Sequence, residues 1–168
     1  INSNKDFESI RKAGTLAAKI LDQLKEIIHP GISTEKINNF CHNMIIENGA
    51  TPAPLGYKGF PKSICTSVNH IVCHGIPSEK KILQDGDIIN VDITVILNGW
   101  HGDSSRMFAA GKISTKAEKL LKTSYECLIR GIKIAKPGNF LGDVGYEIQT
   151  HAESRNCSVV KDYCGHGI

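Results

Sequence analysis

Asp87-Ile-Ile-Asn-Val-Asp-Ile-Thr-Val-Ile-Leu-Asn-Gly-Trp-His-Gly-Asp-Ser-Ser-Arg-Met-Phe108 reads as one tight β-hairpin. From Asp87 to Leu97 polar and apolar residues alternate, so Asn90, Asp92 and Thr94 share one face of a strand and Ile89, Val91, Ile93 and Val95 share the other. Asn98-Gly99 is the strongest short hairpin signal, a type I′ turn that returns the chain antiparallel from Trp100. A two-residue turn sets Asp103 across from Thr94 and diagonal to Asp92, on the same face. Backbones at such a diagonal lie about 7 to 8 Å apart, within reach of one shared ion pair.

Two carboxylates that converge between valines and isoleucines repel each other and are costly unless a cation neutralises them. A divalent metal is the economical answer, and a pair of surface aspartates on an exposed sheet face is the alternative. Aspartate is depleted in mid-strand, which counts against the alternative for Asp92.

Outward from the hairpin, apolar residues from Phe7 to Ile28 recur at three- and four-residue steps and predict an amphipathic helix over 4–28, stopped by Pro30-Gly31. Ser33 is an N-cap for a second helix, with Ile37, Cys41, Met44 and Ile45 inward and Asn48-Gly49 as its breaker. Residues 51–61, rich in Gly and Pro, form a surface loop carrying Tyr57 and Phe60, of the kind that often lines a site. Ser63 to Val68 and Ile71 to His74 read as short strands, and Asp85-Gly86 as a turn. Thr115-x-x-Glu118 is a capping box opening a third helix, with Ala117, Leu120, Leu121, Cys127, Leu128 and Ile132 inward. Pro137-Gly138 ends it, and a fourth helix runs from Leu141 to about Ser154.

The order helix, Pro-Gly, helix occurs twice, with Pro30 and Pro137 separated by 107 residues. Either the chain carries an internal duplication or the pattern recurs by chance. On the first reading the copies cover about 1–110 and about 111–168. The second then holds only Ser158 to Val160 and Tyr163 to Ile168 beyond its helices, and is incomplete.

The chain has 168 residues, 40% of them apolar, enough to bury a real core in one domain. Twenty Lys and Arg against 17 Asp and Glu give a scattered charge of +3, which marks no tract for nucleic acid. Six cysteines without a C-x-x-C pair give no support to a zinc knuckle or thioredoxin motif and read as reduced, mostly core thiols. No cleavable leader is legible at Ile1 to Phe7, and no apolar run is long enough to span a bilayer, so the cytoplasm is the expected compartment. Two histidines stay open on spacing alone: His166, flanked by glycines, is a ligand or a surface residue, and His74, before Gly75-Ile76-Pro77, is a pocket-rim group or a structural one.

Five stretches resemble the type I methionine aminopeptidases: Leu55-Gly-Tyr-Lys-Gly-Phe-Pro-Lys-Ser-Ile-Cys65, Val72-Cys-His-Gly-Ile-Pro77, Asp85-Gly-Asp-Ile-Ile-Asn-Val-Asp92, His101-Gly-Asp103 and Tyr163-Cys-Gly-His-Gly-Ile168. They are long, collinear and spread over the whole chain. The resemblance implies a "pita-bread" α/β (α+β) fold, with a pseudo-two-fold repeat and an antiparallel sheet flanked by helices. It also implies metal-dependent removal of the N-terminal methionine from nascent proteins and peptides with a small second residue. Asp92, Asp103 and His166 match metal-ligand positions for two divalent ions, and such ligands suit Co, Mn, Fe or Zn. His74 matches a catalytic histidine that hydrogen-bonds the substrate backbone. Tyr57, Phe60 and Cys65 match the wall of the methionine pocket, while Pro54 stands where some members carry cysteine. Asn69 and Ile71 fall where backbone carbonyls hold Na or K.

The family has five metal ligands, the last two of them glutamates in the second half, and on the repeat offset the counterpart of Asp92 would fall near residue 199. A truncated second half is therefore expected, with little activity in these 168 residues alone. The implied partners are nascent N-termini and a ribosome surface, with no membrane, no specific nucleic acid and a monomeric state. Proline-specific peptidases share the fold but carry other histidine motifs in place of Val72 to Pro77. A noncatalytic protein-binding relative, or an inactive fragment, is the remaining alternative; retention of Asp92, Asp103 and His166 favours the enzyme.

Overall fold

The structure, a computed structural model, describes residues 3–163 and 165–167. It comprises two compact units, Ile1–Ile113 and Ser114–Gly167.

In the first unit, helix α1 (Asn4–Gln23) starts at Ser3, whose hydroxyl accepts from the Asp6 N–H while the Asp6 carboxylate accepts from Ser3. This reciprocal cap satisfies N–H groups that the first turn leaves without partners. A 3-10 turn, Leu24–Glu26, follows, so the predicted helix to Ile28 ends early in tighter form. Helix α2 (Thr34–Glu47) is capped by Ser33, whose Oγ accepts from the Lys36 N–H at 3.2 Å, as its sequence predicts.

Strands β1 (Thr51–Pro52), β2 (Cys65–Val68), β3 (Ile88–Leu97) and β4 (Trp100–Ala109) form one antiparallel sheet. β1 and β2 pair with the two ends of β3, and β4 pairs with β3 over its full length. Asn98 and Gly99 both have positive φ, 52° and 83°, as a type I′ turn requires. The register that follows sets Thr94 opposite Asp103 and Asp92 opposite Ser105.

One face of β3 is fully apolar: Ile89, Val91, Ile93 and Val95 are all completely buried. Helix α1 packs on this face through Ala13, Leu16, Ala17, Ile20 and Leu21, joined by Ile37, Cys41 and Ile45 of α2. Contact with β4 is so close that a Cβ on Gly102 would lie 2.2 Å from the Ala13 carbonyl carbon, so only glycine fits there. Phe7, placed by periodicity on the inward stripe, is instead 51% exposed at the start of α1.

Ile71 to His74 is not a strand. Asn69 takes a left-handed φ of 53°, with its N–H donating to the Ile88 carbonyl. Its side chain accepts from the Ile88 N–H and donates to Asp87. This tie turns the chain away from the sheet, and a left-handed φ of 54° at His74 is incompatible with a strand.

In the second unit, α3 (Thr115–Ile134) packs on α4 (Leu141–Ser154), a pair with the same lengths, 20 and 14 residues, as α1 and α2. The cap of α3 is Ser114, accepting from the Ala117 N–H, and not Thr115. Of the residues expected inward, Cys127 is buried and Ala117 and Leu121 are partly so, while the others differ. Thr123, Cys127 and Gly131 are buried, with Gly131 against Ile148, while Leu120, Leu128 and Ile132 are exposed. The ion pair of Arg130 with Glu147, 2.7 Å, and the hydrogen bond between His151 Nε2 and Glu126 Oε2, 2.8 Å, tie the two helices together. Ser158 to Val160 forms no strand, and in the stretch Tyr163 to Ile168 Cys164 and Ile168 lie outside the described residues. Of the other cysteines, Cys41, Cys65 and Cys127 are buried, Cys73 and Cys157 are partly so, and all five are free thiols. Among the described residues no helix is long and apolar enough to cross a membrane.

Candidate metal centre

With α1 covering one face of the hairpin, its other face carries the polar set. Cross-strand partners share a face, so Cys65, Ser67, Asn90, Asp92, Thr94, Asp103 and Ser105 stand together on it. Asp92 is half-buried between Cys65 on one side and Ser105 on the other, and Asp103 is exposed on the hairpin's outer strand. Thr94 Oγ1 donates to Asp103 Oδ1 at 3.0 Å, fixing one carboxylate oxygen. Asn90 donates in the same way to Ser105 Oγ at 3.3 Å.

The electrostatics of this face are registered by Cys65. Burial, then the charge of Asp92, then Cys73 and Asp103, push its thiol up to about 12. Asp92 and Asp103 thus both place negative charge near Cys65, and a divalent cation suits such a hard oxygen donor set. Asp92 and Asp103 fit a metal's carboxylate ligands. Among the described residues, no group of three or more His, Cys, Asp or Glu side chains gathers at one point.

His74 is exposed, and its position is set by its neighbour. The Gly75 carbonyl accepts from the Thr66 N–H at 2.8 Å, and the Gly75 N–H donates to Ser67 Oγ at 3.2 Å. A Cβ on Gly75 would lie 2.2 Å from the Thr66 carbonyl oxygen, so glycine lets this segment press against β2 and holds His74 beside the sheet edge. His166 belongs to the second unit, where it is exposed, with Nδ1 3.0 Å from the Gly167 carbonyl oxygen.

The loop bearing Tyr57 and Phe60 is rooted at both ends on β3 beside the aspartates. Ala53 N–H donates to the Thr94 carbonyl, 2.9 Å, and Cys65 pairs with Asp92. Ahead of Cys65 the chain is clasped to α2: the buried Ser63 N–H donates to Asn38 Oδ1 at 3.0 Å, and Ser63 Oγ shares a 2.8 Å hydrogen bond with His42 Nδ1. Lys62 forms an ion pair with Glu35 at 2.6 Å. Sequence reading missed this clasp, because its partners lie more than 20 residues apart and no local pattern links them. Asn69, expected to hold a monovalent cation through its carbonyl, has its side chain committed to Asp87 and Ile88.

Known proteins resemble this arrangement closely. Residues 8–168 match the pattern described as metallopeptidase family M24. A methionine aminopeptidase of Rickettsia prowazekii is 52% identical over 168 residues, all of this chain and 64% of that protein. Methionine aminopeptidase A of Synechocystis is 53% identical over 166 residues, 99% of this chain and 66% of its own length. The crystal structure of methionine aminopeptidase from Rickettsia prowazekii superposes with a TM-score of 0.98 at 52% identity, covering 100% of this chain and 67% of the other. The chain thus spans about two thirds of these relatives, slightly less for the curated ones.

Proposed function

We propose, from the premise that this chain belongs to metallopeptidase family M24, that it hydrolyses the N-terminal methionine from nascent polypeptides and peptides with a small second residue. The observation that carries the reading is the pairing of Asp92 and Asp103 on one face, with Thr94 holding the second aspartate. Asp92, Asp103 and His166 are the proposed ligands of a centre holding two divalent ions of Co, Mn, Fe or Zn. When bound, such ions polarise the scissile carbonyl and acidify water.

The chain's own residues supply the rest. Thr94 keeps Asp103 in one rotamer, so the ligand oxygen needs no reorganisation when substrate arrives. His74, pinned through Gly75, donates a hydrogen bond to the substrate backbone and favours the charge that develops on its carbonyl oxygen. Tyr57, Phe60 and Cys65 wall the methionine side chain, for which an aromatic and sulfur lining is suited to a soft thioether. Asn69 and Ile71 offer carbonyls to Na or K. The helix pairs in the two units are the two copies of a pseudo-two-fold repeat, divided near residue 110. Nascent N-termini are the partners in this reading, with contact at the ribosome surface, a monomeric state and a cytoplasmic location.

The experiment is release of free methionine from a Met-Ala peptide, with each of the four metals added, by the protein expressed from its intact gene and by the 168-residue chain. Release by the first is expected, and near-absence in the second, because this chain carries three of the five ligand positions. No release by the intact product with any metal would refute the activity, and robust turnover by the 168 residues would refute the need for further ligands.

A further inference from the structure

We infer that Lys58 is a specificity residue that selects peptides carrying a carboxylate at the third residue, an inference that rests on the aminopeptidase reading above. Lys58 stands at the tip of a loop closed on itself. Gly56 N–H donates to the Phe60 carbonyl at 2.8 Å, Tyr57 N–H to Pro54 at 3.0 Å, Gly59 N–H to Gly56 at 3.2 Å and Phe60 N–H to Tyr57 at 2.9 Å.

Three positions in this loop take left-handed backbone: Gly56 at φ 82°, Lys58 at 47° and Gly59 at 81°. Two are glycine, which bears that conformation without strain. The third keeps a long cationic side chain despite the clash its Cβ brings. Strain retained at an exposed loop tip is a mark of a functional position, because nothing in packing requires the side chain there.

The ammonium has a definite place. Lys58 Nζ lies 5.4 Å from the centroid of the Tyr57 ring, within cation-π range. Lys62, four residues on, is neutralised by Glu35, whereas among the described residues no carboxylate lies within ion-pair distance of Lys58. The loop leaves β3 beside Thr94 and rejoins it at Cys65, opposite Asp92, so the strand that carries Asp92 roots both ends of the segment bearing Lys58. Lys58 therefore presents its positive charge on a rim beside Tyr57, a proposed wall of the methionine side chain. The second residue of a substrate is small and carries no charge to that rim. The third is the first whose side chain is long and charged enough to meet the exposed ammonium, and a glutamate there gains an attraction that salt screens.

The test compares peptides Met-Ala-Glu-Gly and Met-Ala-Gln-Gly, which differ in charge and hardly in shape, by calorimetric Kd and by methionine release, using the protein expressed from its intact gene. Binding of the Glu peptide about five- to tenfold tighter is expected at low ionic strength, narrowing in 0.5 M salt as charges are screened. Lys58→Gln should abolish the difference and Lys58→Arg should retain it. Lys58→Gly, which relieves the backbone, should also abolish it while melting no lower than the wild type, separating recognition from a structural role. Equal affinities in the wild type, or a preference that survives Lys58→Gln, overturn the inference while methionine release leaves the aminopeptidase reading standing. Failure to bind either peptide, with no release, overturns both.

Discussion

Thr94 Oγ1 and Asp103 Oδ1 are joined by a 3.0 Å hydrogen bond between residues directly opposite one another on β3 and β4. A neutral hydroxyl thus orients a carboxylate that the proposed function assigns to a metal, and such outer partners tune affinity without touching the ion. Thr94→Val keeps the branched shape and removes the donor, so Mn or Co affinity is expected to fall about tenfold. Titration calorimetry checks this, with Thr94→Ser expected to restore most of the loss; unchanged affinity in the valine variant would show that Asp103 orients itself.

At Gly102 β4 comes hard against α1, and a Cβ there would sit 2.2 and 2.4 Å from the Ala13 carbonyl carbon and oxygen. The obstacle is helix backbone, which has no rotamer to escape into. Gly102→Ala is expected to cost about 3 kcal/mol, the upper end of overpacking penalties. Urea unfolding measures it, and a loss under 1 kcal/mol would mean that α1 shifts freely.

Asn38 Oδ1 accepts the Ser63 N–H in a buried setting. Asn38→Ala strands that donor and is expected to destabilise the protein by about 1 to 3 kcal/mol. Chemical denaturation measures the loss, and an unchanged midpoint contradicts the assigned role.

Asp87 supplies the acid-sensitive joint of the first unit. Burial alone would raise its carboxyl, but the Gln84 N–H, the Asn69 amide and the Lys81 charge outweigh it and hold the group below its ordinary 3.8. A depressed folded value means stabilisation that is present above the ordinary value and lost as pH falls through the folded one. Asp87→Asn is therefore expected to lower stability by about 1 kcal/mol at neutral pH, given partial solvent screening. The gap from wild type should close below 3.8, and thermal melts at pH 7 and pH 2.5 distinguish this from a gap that persists.

The hairpin was legible because its determinants are local. Alternation chose the face of Asp92, and Asn98-Gly99 chose the register that brought Thr94 and Asp103 together. The Ser33 cap was legible for the same reason. Ile71 to His74 was misread because the left-handed Asn69 is stabilised by Ile88 and Asp87, nearly 20 residues away. The Asn38, His42 and Ser63 clasp left no trace in the sequence, since each residue is unremarkable until the fold supplies its partner. On α3, periodicity marked an apolar stripe but not which part packs; Gly131 meets Ile148, whereas Leu128 and Ile132 stay in solvent.

The two left-handed residues at Asn98 and Gly99 touch no substrate, yet they determine what the protein can hold. Strand pairing admits only whole-residue steps, and one added residue at this bend would exchange inside for outside along β4. Gly102 and Ser104 would then look outward, and Asp103 would be driven into the apolar seam against α1. Coordination chemistry on this sheet is thus governed remotely, by the tightness of a corner several residues from either aspartate.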